Sequence, residues 1–187
     1  IVYLQSNIKF KMDANSVNSH TDIVFSAETM EKVNKIIARY PEGKQKSALI
    51  PILHLAQKEF GGWLDVPVMD YVATILHITP IEVYEVATFY TMFNMEPVGK
   101  YVLEVCRTGP CMVKGSDQII EYIKEKLQIK EGETTKDGLF TLKPAECLGA
   151  CGYAPMMQVG KFYHEHLTKE KVDEILDLCR AGNIAID

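Results

Sequence analysis

Apolar residues recur every three or four positions through the first half of the chain, then give way to shorter alternating runs. The break falls near Pro97-Val98-Gly99, which reads as a joint between two units. Order is expected from Ser26, placed as an N-cap, with Met30, Val33, Ile36, Ile37 and Tyr40 on one helical face until Pro41 ends the run. A second helix is predicted over about 44–60, with Leu49, Ile52, Leu53, Ala56 and Phe60 inward, Pro51 kinking its interior and Gly61-Gly62 supplying a left-handed cap. Trp63 is expected to plug the space between helices. Asp65 and Pro67 open a third helix that runs to Leu76 and buries Val68, Met69, Val72 and Ala73. The fourth has the fullest start signal: Thr79 at the cap, Pro80 at the first helical position and Glu82 three residues past the cap, running to about residue 91. The aromatic run Phe89-Tyr90-Thr91-Met92-Phe93 is assigned mainly to core packing, with a docking face as the competing reading.

Beyond the joint the period changes. Residues 100–106 alternate as a half-buried strand, and 115–127 form a helix with Ile119, Ile120, Ile123 and Leu127 inward. Residues 130–138 are polar and punctuated by glycine, a loop. A second strand is predicted over 139–142, a hairpin from 156–159 and 162–163 about Gly160-Lys161, and a last helix over about 169–181, capped by Thr168. The pattern alone therefore gives an α+β chain: a lead-in over 1–25, a four-helix unit over 26–96 and a unit with a small sheet over 97–187. In the lead-in, residues 1–6 look like a protease-site scar with Met12 as a natural start, the alternative being the remnant of a removed organelle-targeting sequence.

Composition narrows the function classes. At 187 residues and 47% apolar content the chain has enough material for ordinary cores. A net charge of −5, mixed in sign, argues against a nucleic-acid surface. No stretch approaches the ~18 uninterrupted apolar residues of a membrane span, so membrane attachment has to come through a partner. No Gly-x-Gly-x-x-Gly or Walker loop is present, so the chain is expected to bind neither NADH nor flavin by itself. Five cysteines without a secretory signal point to a reducing compartment and to metal or redox use.

Four of those cysteines are paired along the chain: Cys106-x4-Cys111, then Cys147-x3-Cys151 after 35 intervening residues. Soft thiolates select zinc, copper(I) or iron–sulfur clusters, and the spacing weighs zinc and iron–sulfur about evenly. Loop contents favour the cluster: Thr108, Gly109 and Pro110 in one loop, Gly149 and Ala150 in the other, with Gly152 just beyond. Small residues let backbone N–H groups approach cluster sulfurs, which a bare zinc ion lacks. Cys179 shares the apolar spacing of Val172, Ile175 and Leu176 and is read as a buried, inert thiol. His164-Glu-His166 is assigned to a surface turn rather than a ligand pair, and Arg107 and Lys114 to solvated charges. A dithiol oxidoreductase would need the Cys-x-x-Cys that is missing here.

The run over 84–99, followed by the two cysteine pairs and the Ala154-Pro155 beyond them, resembles the small 24 kDa-type [2Fe–2S] subunits of the NADH-dehydrogenase module of respiratory complex I. The likeness extends from about residue 40 to about residue 178. It implies a helical bundle followed by a thioredoxin-like [2Fe–2S] ferredoxin domain, with Cys106, Cys111, Cys147 and Cys151 ligating one cluster. It further implies electron transfer within an NADH:quinone oxidoreductase, beside a flavoprotein subunit that carries the FMN and NADH sites, and contact with other peripheral-arm subunits. The bacterial cytoplasm or the mitochondrial matrix side of the inner membrane would house it. Related subunits of NAD-linked hydrogenases or formate dehydrogenases, and a structural zinc module without redox work, are the alternative readings.

Overall fold

The computed structural model describes residues 23–184; the scar and most of the lead-in expected at the start of the chain lie outside them. Two separate hydrophobic cores organise these residues. The first gathers α1 (Ala27–Ile37), α2 (Leu49–Glu59), α3 (Val66–Leu76) and α4 (Pro80–Phe89) around Val33, Ile52, Leu53, Val72, Leu76 and Val83. The start signals work as read: Ser26 accepts from Thr29 N–H at 3.3 Å, Asp65 accepts from Val68 N–H at 3.0 Å, and the Glu82 carboxylate takes the Thr79 N–H and hydroxyl, each at 2.8 Å. Gly62 N–H reaches back to Gln57 O at 2.7 Å, the six-to-one bond of a Schellman stop, with Gly61 at φ +87°.

Three details of this half differ from expectation. Residues 44–60 are not one kinked helix: Gln45–Ala48 is a 3₁₀ turn, and α2 begins at Leu49. Pro51 is thus the third residue of α2, where an N–H has no intrahelical acceptor to lose. Trp63 is only half-buried, and the plug is its neighbour Leu64, 1% exposed. Within the aromatic run Phe93 alone enters the core, at 4% exposure, while Phe89 is 76% exposed and α4 ends two residues early.

The second core lies under a four-stranded sheet of order β2-β1-β3-β4: β1 (Tyr101–Cys106), β2 (Phe140–Ala145), β3 (Met157–Val159) and β4 (Phe162–His164). β1 and β2 are parallel, pairing Tyr101 with Phe140 through Cys106 with Ala145, and β3 and β4 add antiparallel to β1. The period-two pattern sends Tyr101, Leu103 and Val105 to one face, where α6 (Ser116–Leu127) and α7 (Lys169–Arg180) cover them with Ile119, Ile120, Ile123, Val172, Ile175 and Leu176. Cys179 is 1% exposed in this core, as its spacing implied. The element order is the α+β, thioredoxin-like one that the resemblance implies. β2 runs three residues past its predicted end, to Ala145, because each residue added pairs with β1.

Where the two cores meet, Gly99 lies against β2 so closely that its N–H donates to Thr141 Oγ1 at 2.7 Å. Lys143 of β2 reaches back to the end of the helical half, donating to Thr91 O and, at 2.8 Å, to Asn94 Oδ1.

Candidate metal centre

A parallel pair sends both chains out at the same end of the sheet, and here the last paired residues are Cys106 and Ala145. Each strand therefore runs straight into a cysteine loop, and the two loops start side by side. Cys106 N–H donates to Met156 O at 3.1 Å on one side, and Arg107 N–H to Ala145 O at 3.0 Å on the other, so the β1 exit is clamped between β2 and the run into β3.

The first loop turns at Gly109, φ +53° and ψ −125°, a backbone setting open to glycine. It then winds into α5 (Pro110–Val113), a short helix that periodicity could not announce, which tucks Cys111 back under Cys106. Cys106 and Cys111 are buried against Met156, with Leu148, Ala150 and Ala154 around them. Burial pushes the Cys111 thiol up to about 11, and the Cys106 thiol beside it adds to the shift.

The second loop carries the exposed pair. Cys147 Sγ accepts the Gly149 N–H at 3.4 Å, Gly149 being at φ +72°, and Cys151 opens a 3₁₀ turn over Cys151–Tyr153. Two hydroxyl groups tie this loop down: Thr108 Oγ1 donates to Glu146 O, and Tyr163 Oη to Leu148 O at 2.8 Å. The Cys106 thiol leans on the same Glu146 carbonyl at 3.9 Å. Neither tether has a signal in the sequence, since each depends on register between distant strands. The Ala154-Pro155 peptide is cis.

All four cysteines of the two pairs are free thiols gathered at one end of the sheet, two buried and two exposed. Among the described residues no three His, Cys, Asp or Glu side chains converge as ligands of one ion. Four soft thiol donors in two pairs are the set that a [2Fe–2S] cluster would take from the protein. A bare buried thiolate is costly at Cys111, and a coordinated cation removes that cost by taking the thiol deprotonated. The donor set and the backbone N–H beside Cys147 thus fit a two-iron cluster.

The remaining candidates stand apart. Arg107 is on the surface and pairs with Glu131 at 3.3 Å. His164 is not in a turn but on β4, half-buried, and burial holds its imidazole below the ordinary range. His166 lies beyond the strand at φ +48°, its ring 5.8 Å from that of Tyr153.

The sequence model of the thioredoxin-like [2Fe–2S] ferredoxins matches residues 33–180. Among curated relatives, an NADH-quinone oxidoreductase subunit of Rickettsia bellii is 48% identical over 86% of this chain and 96% of its own length. NADH dehydrogenase [ubiquinone] flavoprotein 2, mitochondrial, of Dictyostelium discoideum is 49% identical over 86% of this chain and 65% of that protein. In three dimensions, a chain of an NAD⁺-reducing [NiFe]-hydrogenase in the air-oxidised state superposes with a TM-score of 0.63 at 20% identity, over 72% of this chain and 23% of that one. That last likeness is one of fold.

Proposed function

Because this chain belongs to the thioredoxin-like [2Fe–2S] ferredoxin family, we propose that Cys106, Cys111, Cys147 and Cys151 together hold its one [2Fe–2S] cluster, in an electron-carrying subunit of an NADH:quinone oxidoreductase. When bound, such a cluster supplies one-electron exchange, here with the FMN of a partner subunit that oxidises NADH. The observation that carries this reading is the parallel register, which brings both cysteine loops out at one end of the sheet. The protein's own work is to hold and shield. Met156 and the β1 exit close off the inner pair, Thr108 and Tyr163 tether the outer loop, and the Gly149 N–H faces a thiolate sulfur.

The strong likeness to quinone oxidoreductase subunits at 48% identity favours that assembly over a hydrogenase relative, whose support is fold. The units are taken as 26–96, helical, and 97–187, cluster-bearing. Other peripheral-arm subunits would be neighbours, in the bacterial cytoplasm or on the matrix side of the mitochondrial inner membrane. Among the described residues no helix is long and apolar enough to cross a membrane.

The test is anaerobic purification with the flavoprotein subunit. The reading expects a brown complex, iron and acid-labile sulfide at about two each per chain, and an EPR signal on reduction. Material without iron or labile sulfide would overturn it.

A further inference from the structure

β1 and β2 carry a pair of opposite charges two residues short of the row where the cysteine loops begin. In the parallel register Glu104 lies opposite Lys143, just as Cys106 lies opposite Ala145. At about 3.3 Å per residue, the backbone of the pair stands about 7 Å from that row. Leu103 and Val105 face α6 and α7, so alternation sends Glu104 to the other face of the sheet, where the helical half begins. Lys143 is held in place from that half: its ammonium donates to Thr91 O and, at 2.8 Å, to Asn94 Oδ1, and lies 3.8 Å from the Glu104 carboxylate. The two side chains are 25% and 24% exposed.

The charges that adjoin the cysteines in sequence are on the surface. Arg107, Lys114 and Glu146 are exposed, and Arg107 is paired with Glu131 at 3.3 Å. His54 and Lys58 of α2, which line the space in front of the pair, are exposed as well. Water and salt screen charges of that kind, whereas a field that runs through the sheet is weakened much less.

We propose that Glu104 and Lys143 act as an opposed pair of charges that sets the reduction potential of the cluster, Lys143 favouring the reduced state and Glu104 the oxidised one. It rests on the ligand assignment above. One electron arrives from the reduced flavin of the partner subunit, no bond is made or broken, and the cysteine end becomes one unit more negative. At about 10 Å and an effective dielectric constant of about 20, one unpaired charge moves such a one-electron equilibrium about tenfold. The test is an EPR-monitored potential titration of the cluster-loaded chain with its flavoprotein subunit, at about pH 8 and about 0.5 M salt, where surface charges are screened. Lys143→Gln keeps an N–H donor and loses the charge, so it should lower the reduced-to-oxidised ratio at fixed potential about tenfold, a fall of about 59 mV. Glu104→Gln should raise the ratio by about the same factor, and the double variant should return to within about threefold of wild type. Mere loosening of the joint between the two halves would move both single variants in one direction and the double variant further still. Shifts of one sign, or single variants within about twofold of wild type, would therefore overturn the proposal. If Lys143→Gln does not retain iron, the nearly isosteric Glu104→Gln decides alone, and a ratio that does not rise would overturn it. Wild-type protein without iron or labile sulfide would fail at an earlier and separate step, removing the ligand assignment as well.

Discussion

Substituting alanine at Gly99 should unsettle both halves of the molecule through a single methyl group. A Cβ there would stand 2.9 Å from Leu139 C, 2.9 Å from Phe140 N and 3.0 Å from Gly138 O. All three are backbone atoms at the entrance to β2, so no side chain can swing aside. The φ of Gly99 is not in the left-handed region, so the cost is steric rather than conformational. Overpacking of this kind costs about 1–3 kcal/mol. If the backbone yields, the Gly99 N–H bond to Thr141 is strained as well, adding about 1 kcal/mol. A total of about 2–4 kcal/mol corresponds to a fall in Tm of roughly 6–12 °C for a chain of this size. Far-ultraviolet melting of the cluster-loaded protein measures it. Since β2 feeds the Cys147 loop, Gly99→Ala should also release iron to a chelator faster than wild type does. A melting point within about 2 °C of wild type would mean that the joint does not bear on β2 as described.

Cys111→Ala or Cys147→Ala should abolish the EPR signal of the reduced protein, whereas Cys179→Ala should keep it and cost about 1 kcal/mol of packing; equal loss from all three would sink the ligand assignment. Phe93→Ala should lower stability to denaturant by about 3–5 kcal/mol, while Phe89→Ala, on an exposed ring, should stay within about 0.5 kcal/mol. The Glu82 carboxylate is held down to about 2, first by the hydrogen bond from Lys46 and then by those from Thr79. Its folded pKa is depressed, so its contribution is present above about pH 4.5 and is lost as pH falls toward about 2. The gap in denaturation midpoint between wild type and Glu82→Gln should close across that window, and a gap that does not change with pH would refute it.

Much of this architecture is written in local chemistry. Ser26, Asp65, Thr79 and Thr168 each cap the helix that follows them, because a short oxygen-bearing side chain satisfies N–H groups wherever it precedes an amphipathic run. The cysteine spacing likewise states the candidate chemistry without a fold, since thiolates in tight pairs are metal donors in any setting.

What depended on distance along the chain was not legible. Leu64 rather than Trp63 became the plug, and Phe93 alone of five neighbours went inward, because burial is decided by what packs opposite and not by hydrophobicity alone. Pro51 caused no kink because the helix began only at Leu49. The pairing of Cys106 with Ala145 and the tethers from Thr108 and Tyr163 arise from register between segments tens of residues apart. The four sulfurs were named by sequence, but only the parallel sheet, by giving β1 and β2 a common exit, brought their two loops to one place.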